Sequence, residues 1–356
     1  MSTVIGIIIV IGGVVLIHEL GHFSFAKWVG MRVERFSVGF PPRLFGKKIG
    51  ETDFCISAIP LGGYVKVAGI IDESVDTDGV KGEPWEFQSK NSFQKLLYIT
   101  GGVLYNLLFA IFIFCLLSFG AGVYEANPDP VIDQVIPDFP ADRAGLQTGD
   151  RIVAINDSPV RNWETMTTLI HALPNDSITI RWQRGEQVFQ QRIATLSTKT
   201  LKGFDFVETG LVGISPRYEH HRASLGEAIQ SGLNNTWYWT KVTIVSLKLL
   251  VTGRESVRNL GGPILIAQLA GQSARSGLAA LFGLMAVISI NLALVNILPI
   301  PALDGGHALM TLIEAIRRRP LSLKAKIRFQ QIGLAFILTM MVIVFYNDIL
   351  RLIKGF

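Results

Sequence analysis

Four long apolar runs divide the chain, at residues 4–25, 96–123, 278–298 and 332–350. Each is close to the roughly 20 residues that a helix needs to cross about 30 Å of hydrocarbon, so each predicts a transmembrane helix. Residues 33–68 read differently: strand-like stretches at 35–42 and 59–66, and the segment around 46–50, are punctuated by glycine and proline. That punctuation predicts β-hairpins. Residues 72–84 are acidic and contain glycine, as an exposed loop would. Pro128, Pro130, Pro137 and Pro140 then open a polar stretch that runs to about residue 216, expected to be a separate soluble domain. Over residues 223–251, Leu225, Ile229, Leu233, Trp237, Ile244 and Leu247 recur near helical spacing, with Glu227, Lys241 and Lys248 between them. An interfacial amphipathic helix is expected there, its Trp237-Tyr238-Trp239 run at headgroup level.

Composition strengthens the membrane reading. Of 356 residues 49% are hydrophobic and only 17% charged, more apolar than an ordinary soluble core requires. The net charge of +5 could suggest nucleic acid as a partner, but the basic residues cluster beside apolar runs. Lys27, Arg32 and Arg35 follow the first run, and Arg317, Arg318, Arg319, Lys324, Lys326 and Arg328 follow the third. By the positive-inside rule those ends face the cytoplasm, and no nucleic-acid partner is expected. The first run has neither a basic leader nor a small-residue cleavage site, so it is not read as a removable signal. Cys55 and Cys115 fall in a strand-like and an apolar context and are not expected to pair.

Within the polar domain, Ala144-Gly145-Leu146-Gln147-Thr148-Gly149-Asp150-Arg151-Ile152-Val153-Ala154-Ile155-Asn156 carries a glycine turn entering a strand. A helix near 166–172 and a strand at 177–184 should follow, and the pattern resembles a PDZ domain. Such domains bind extended peptides by adding a strand to a sheet edge; alternatively this copy is only a steric body beside the membrane. The expected organisation is a first transmembrane helix in 1–30, a cytoplasmic-side hairpin region and loop in 31–92, and a second transmembrane helix in 93–123. An α+β PDZ domain follows in 124–217, then interfacial amphipathic helices in 218–276. A third transmembrane helix lies in 277–315, and a basic loop with the fourth in 316–356. The fold class is thus an α-helical polytopic membrane protein of four transmembrane helices with an inserted α+β domain.

The chemistry is concentrated in the first run, where His18-Glu19-Leu20-Gly21-His22 interrupts apolar sequence. Histidines at i and i+4 share a helical face, so two imidazoles can converge on one zinc ion with Glu19 beside them as a general base. The alternative, two satisfied core histidines, leaves a carboxylate buried without a role. Catalytic zinc takes a third protein ligand and keeps one position open. Asp304 is the leading candidate, since the third run ends in Asn296-Ile297-Leu298-Pro299-Ile300-Pro301-Ala302-Leu303-Asp304-Gly305-Gly306-His307, where prolines break the helix. His307 is the local competitor, while His220 and His221 belong with the domain on the far side. Gly101, Gly102 and Asn106 in the second run would let a helix approach closely, and Asn106 reads equally as packing or as a site residue.

The metal motif, Ile59-Pro60-Leu61-Gly62-Gly63-Tyr64-Val65-Lys66, the PDZ pattern, Gly261-Gly262-Pro263-Ile264 and Asn296 through Gly306 together resemble the site-2 protease family of intramembrane zinc metalloproteases. The likeness is to the branch similar to the bacterial regulator of sigma-E protease. It implies one Zn2+ held by His18, His22 and Asp304, with Glu19 as general base. It also implies substrate contacts at Asn296, Leu61, Gly62, Gly63, Tyr64 and Val65, and Asn106 is added as a further site residue. The hairpins would include a membrane re-entrant sheet whose edge pairs with an unwound substrate helix. Substrates would be single-span membrane proteins such as anti-sigma factors or signal-peptide remnants. The chain would sit in a bacterial inner membrane, with its PDZ domain outside, filtering substrate ectodomains or binding peptide, and its active site open toward the cytoplasm. Two features depart from the pattern: only one PDZ domain is present where close relatives carry two, and valine follows Gly102 where proline is common. Two other classes remain as alternatives, a membrane adaptor with a structural zinc and a metal transporter. The first should offer four protein ligands and the second more ionisable residues within its apolar runs.

Overall fold

A computed structural model describes residues 3–70 and 81–354, with the backbone alone at Thr3 and Leu61. Residues 72–80 of the expected acidic loop therefore lie outside the described residues. Four helices are long and apolar enough to cross a membrane: Val4–Trp28, Ser92–Ala121, Leu278–Asn296 and Leu323–Lys354. The fourth starts nine residues before its apolar run (332 − 323), because hydropathy reports the hydrocarbon-matching part of a helix and not its polar extension. The chain forms two compact units, residues 118–225 and the remainder.

In the larger unit the spans pack around small and branched side chains, with Val10, Val14, Ala110, Ile113, Met285 and Ile290 in one core. Segment 218–276, expected as interfacial helices, divides. The Leu225–Val251 helix turns Ala228, Gly232, Thr236 and Val245 inward and leaves Leu225, Ile229, Leu233 and Trp237 exposed in one stripe. Its inward face meets the flanks of two spans, since a β-carbon at Gly232 would stand 2.3 Å from Cys115 Sγ and Thr243 donates to Asn291 Oδ1 at 2.6 Å. The Pro263–Ser276 helix packs one face into the bundle. Ala270 and Ala274 belong to the core of the bundle, and the N–H groups of Gly262, Ile264 and Leu265 all donate to the buried Asp348 carboxylate of the fourth span. That carboxylate satisfies donors that a helix start otherwise leaves open.

The expected separate hairpins form instead a single pair of long strands, β1 (Val33–Ile49) and β2 (Thr52–Val67). Both bend midway, so residues 36–38 lie between two segments of β2: Phe36 is opposite both Val65 and Phe54, and Val38 opposite both Gly63 and Ile56. The bends are pinned where Ser37 Oγ and Ser57 Oγ meet at 2.8 Å, and Gly39, at φ 93°, passes so close to Ser57 O that a side chain would collide. The turn between the strands carries charge, with Glu51 3.6 Å from Lys27 and 3.7 Å from Arg32. The bent ends are apolar, exposing Phe40, Leu44 and Ile59.

The smaller unit has a four-stranded sheet in the order β4 (Ser158–Pro159), β3 (Arg151–Ile155), β5 (Ser177–Arg184) and β6 (Gln187–Ala194). The Trp163–His171 helix packs Met166 and Ile170 against Ile152, Ile178, Ile180 and Trp182. Asp150 of the glycine-turn motif is fully buried and receives both Nε and Nη2 of Arg184 at 2.7 Å, so the motif anchors β5 to the turn that leads into β3. The unit extends past 124–217 because Val123–Ala126 pairs with Tyr218–His221, His221 opposite Val123.

Candidate metal centre

His18 and His22 stand on consecutive turns of the first span, both buried. Close helix contact makes room for them. A β-carbon at Gly21 would lie 2.3 Å from Gly101 O, so the backbones of the first and second spans touch there. The break at Pro299 and Pro301 turns the chain after the third span, Ala302 takes a positive φ of 69°, and Asp304 opens the helix Asp304–Arg317. Gln330 of the fourth span fixes that turn by accepting from Ala302 N at 2.8 Å, and Gly333 leaves space for Pro301 O.

These elements bring His18, His22 and Asp304 together, and among the described residues they are the one group of histidine, cysteine and acidic side chains arranged to hold a metal. The three candidate ligand atoms form a near-equilateral triangle: the two Nε2 atoms are 3.1 Å apart, and Asp304 Oδ2 is 3.2 Å from His18 and 3.3 Å from His22. Tetrahedral zinc with bonds of about 2.0 Å spaces its ligands about 3.3 Å apart. Asp304 Oδ2 is also buried without a hydrogen-bond partner, which a cation in the triangle would correct. The site therefore fits the metal. His22 Nδ1 lies 3.0 Å from Tyr98 O; that carbonyl can only accept, so the proton sits on Nδ1 and Nε2 keeps its lone pair.

A cavity of about 320 Å³ opens beside the triangle, lined by Glu19, Gly63, Tyr64, Val65, Asn296, His307 and Tyr98 among others. Glu19 lies against the strand edge, its Cγ 3.8 Å from where a β-carbon of Gly63 would be. Asn296 Nδ2 is 3.1 Å from His18 Nε2. Gly62, at φ 141°, packs beside Val15 and Phe40. One alternative falls away and one expectation changes. His307 lines the cavity but is outside the triangle, its Nε2 2.7 Å from Gln330 Nε2. Asn106, expected as a substrate contact, is fully buried and off the cavity wall, with Nδ2 3.2 Å from His18 Nδ1. It stands one helical turn beyond Gly102 and so faces the back of the imidazole. Tyr98 and Gln330 carried no sequence signal, because each acts through hydrogen bonds to a distant segment.

Residues 6–340 match the profile of Peptidase family M50. A protein of Agrobacterium fabrum named a zinc metalloprotease is 35% identical over 366 residues, covering 98% of this chain and 96% of its own length. Zinc metalloprotease RasP of Geobacillus kaustophilus is 30% identical over 426 residues, covering 98% of each chain. Among solved structures, the PDZ domain of an SdrC-like protein from Listeria monocytogenes is 22% identical and covers 26% of this chain and 93% of its own, with a TM-score of 0.21.

Proposed function

As a member of Peptidase family M50, the chain is a zinc metalloprotease, and we propose that it hydrolyses peptide bonds of single-span membrane proteins within the bilayer. The observation that carries this reading is the depth of the ligand triangle. His18 is ten residues from the end of the first span at Trp28, about 15 Å at 1.5 Å per residue, within a helix apolar enough to cross a membrane. The bent ends of β1 and β2 support a re-entrant sheet: Pro60 O approaches Gly12, which is farther still along the same span, while the charged turn stays beside Lys27.

In this reading His18, His22 and Asp304 hold the zinc. When bound, zinc supplies Lewis acidity, acidifying a water and polarising a carbonyl. Glu19 takes the proton from the attacking water onto its carboxylate and returns it to the leaving amine. Residues 63–67 pair with β1 on one side and with no second strand among the described residues, so a substrate unwound from its helix can add there and satisfy its freed backbone groups. The amide of Asn296 donates to the substrate carbonyl oxygen. Anti-sigma factors or signal-peptide remnants fit as substrates once only a short ectodomain is left on the span. The basic residues around 27–35 and 317–328 support a cavity mouth toward the cytoplasm of a bacterial inner membrane, with the inserted domain proposed outside as a filter of ectodomains.

The test is cleavage of a purified single-span substrate in lipid vesicles, with product mass read out. Wild type should cut inside the span and stop with a zinc chelator, and Glu19→Gln should retain zinc yet lose cleavage. Cuts confined to soluble segments, or full activity in Glu19→Gln, would overturn the reading.

A further inference from the structure

The two histidines are held from behind by different groups. His22 faces a carbonyl, which admits one proton arrangement. His18 faces the backbone of Gly102 and also the carboxamide of Asn106, whose nitrogen and oxygen exchange places by a half-turn of the side chain. Asn106 is fully buried, and its backbone carbonyl accepts from Ser289 Oγ at 2.9 Å, so the third span holds this point of the second span in place. Its Oδ1 is buried without a partner.

With Nδ2 toward His18 Nδ1, the amide donor opposes a proton on that nitrogen, which the backbone of Gly102 alone would favour, and biases the ring proton toward Nε2. Nε2 is the atom 3.1 Å from His22 Nε2 and 3.2 Å from Asp304 Oδ2, and a protonated nitrogen cannot ligate. With Oδ1 toward His18, Nδ1–H donates to it and Nε2 presents its lone pair to the triangle. No bond on Oδ1 opposes the half-turn. We propose that Asn106 accepts a hydrogen bond from Nδ1–H of His18 and so holds this ring in the tautomer and orientation that ligate. Asn106 is then a positioning residue that acts through His18 and touches no substrate. The inference rests on the assignment of His18, His22 and Asp304 as the zinc ligands.

The experiment compares zinc affinity by chelator competition, and the visible absorption of the Co2+-substituted protein, in wild type, Asn106→Asp and Asn106→Leu. Aspartate keeps the shape and offers only acceptors, whereas leucine keeps the bulk and offers none. The leucine variant should lose about 10–100-fold in zinc affinity with altered cobalt bands, and the aspartate variant should keep wild-type affinity within about threefold. Wild-type behaviour of the leucine variant, or equal losses in both, would overturn the proposal. A measurement on the unsubstituted side chain covers the case in which leucine prevents folding. In 15N-histidine spectra of metal-free wild type, the His18 signals, identified by their absence in His18→Ala, should show a protonated Nδ1 and a bare Nε2. A protonated Nε2 would refute the proposal directly. Failure of the ligand assignment looks different, because His18→Ala and Asp304→Ala would then keep the wild-type zinc content whatever happens at residue 106.

Discussion

A β-carbon on Gly102 would stand 2.6 Å from Nε2 of His22, inside the space that this ligand atom needs, and equally close to Cε1 of His18. Glycine in a helix interior costs about 1 kcal/mol relative to alanine, so Gly102→Ala improves the isolated helix. It should nevertheless reduce bound zinc to near zero and abolish cleavage, because the imidazoles must move apart. Metal analysis of the folded variant checks this, and a normal zinc content would mean that the second span can shift away from the histidines.

Asp304→Asn trades a charged ligand for a neutral one and should weaken zinc retention together with activity. His307→Ala removes a cavity wall residue but leaves the triangle intact, so its zinc content should match wild type. The reverse pattern in zinc stoichiometry would transfer the third ligand to His307.

Beyond the metal site, Glu314 accepts from Lys326 at 2.8 Å and from Leu321 N at 2.9 Å, and Lys95 lies 3.8 Å away, joining the Asp304–Arg317 helix to the second and fourth spans. Burial raises the Glu314 pKa, but the Lys326 hydrogen bond, the Leu321 N–H and the two lysine charges outweigh it and hold the carboxyl below its ordinary range. A depressed carboxylate stabilises the fold above its unfolded pKa of about 4.3, and that contribution is lost as pH falls through the folded value. Glu314→Gln should therefore destabilise the protein by about 2 kcal/mol at neutral pH, below the ~3–5 kcal/mol of a fully buried pair. Thermal unfolding in detergent should show wild type and variant converging as pH drops below about 4.

The inserted unit can be removed at its own root, because His221 and Val123 are ladder partners and the cut ends are already neighbours. Excision of residues 123–221 with a short flexible linker should spare cleavage of substrates whose ectodomain has been trimmed and newly admit untrimmed ones. Were the domain a peptide-capture device, trimmed substrates would lose affinity and untrimmed ones would remain excluded. Rates on both substrates, in protein that still holds zinc, separate the two roles.

Local pattern alone determined much of this protein. Four apolar runs of membrane length placed the spans, because run length is set against a fixed hydrocarbon thickness. The i, i+4 spacing put His18 and His22 on one helical face, and the Gly-Asp turn before Ile152 marked the inserted domain. Tertiary structure decided the choices that depend on contacts between distant segments. Asp304 and His307 were both available after the third span, and only the turn held by Gln330 shows which reaches the histidines. The strand patterns at 33–68 predicted hairpins but not that both strands fold back beside one another, since period-two alternation carries no information about partner or bend. Asn106 could be read as packing or as a site residue until its amide was found behind His18, because helical spacing orients a side chain but does not name what it faces.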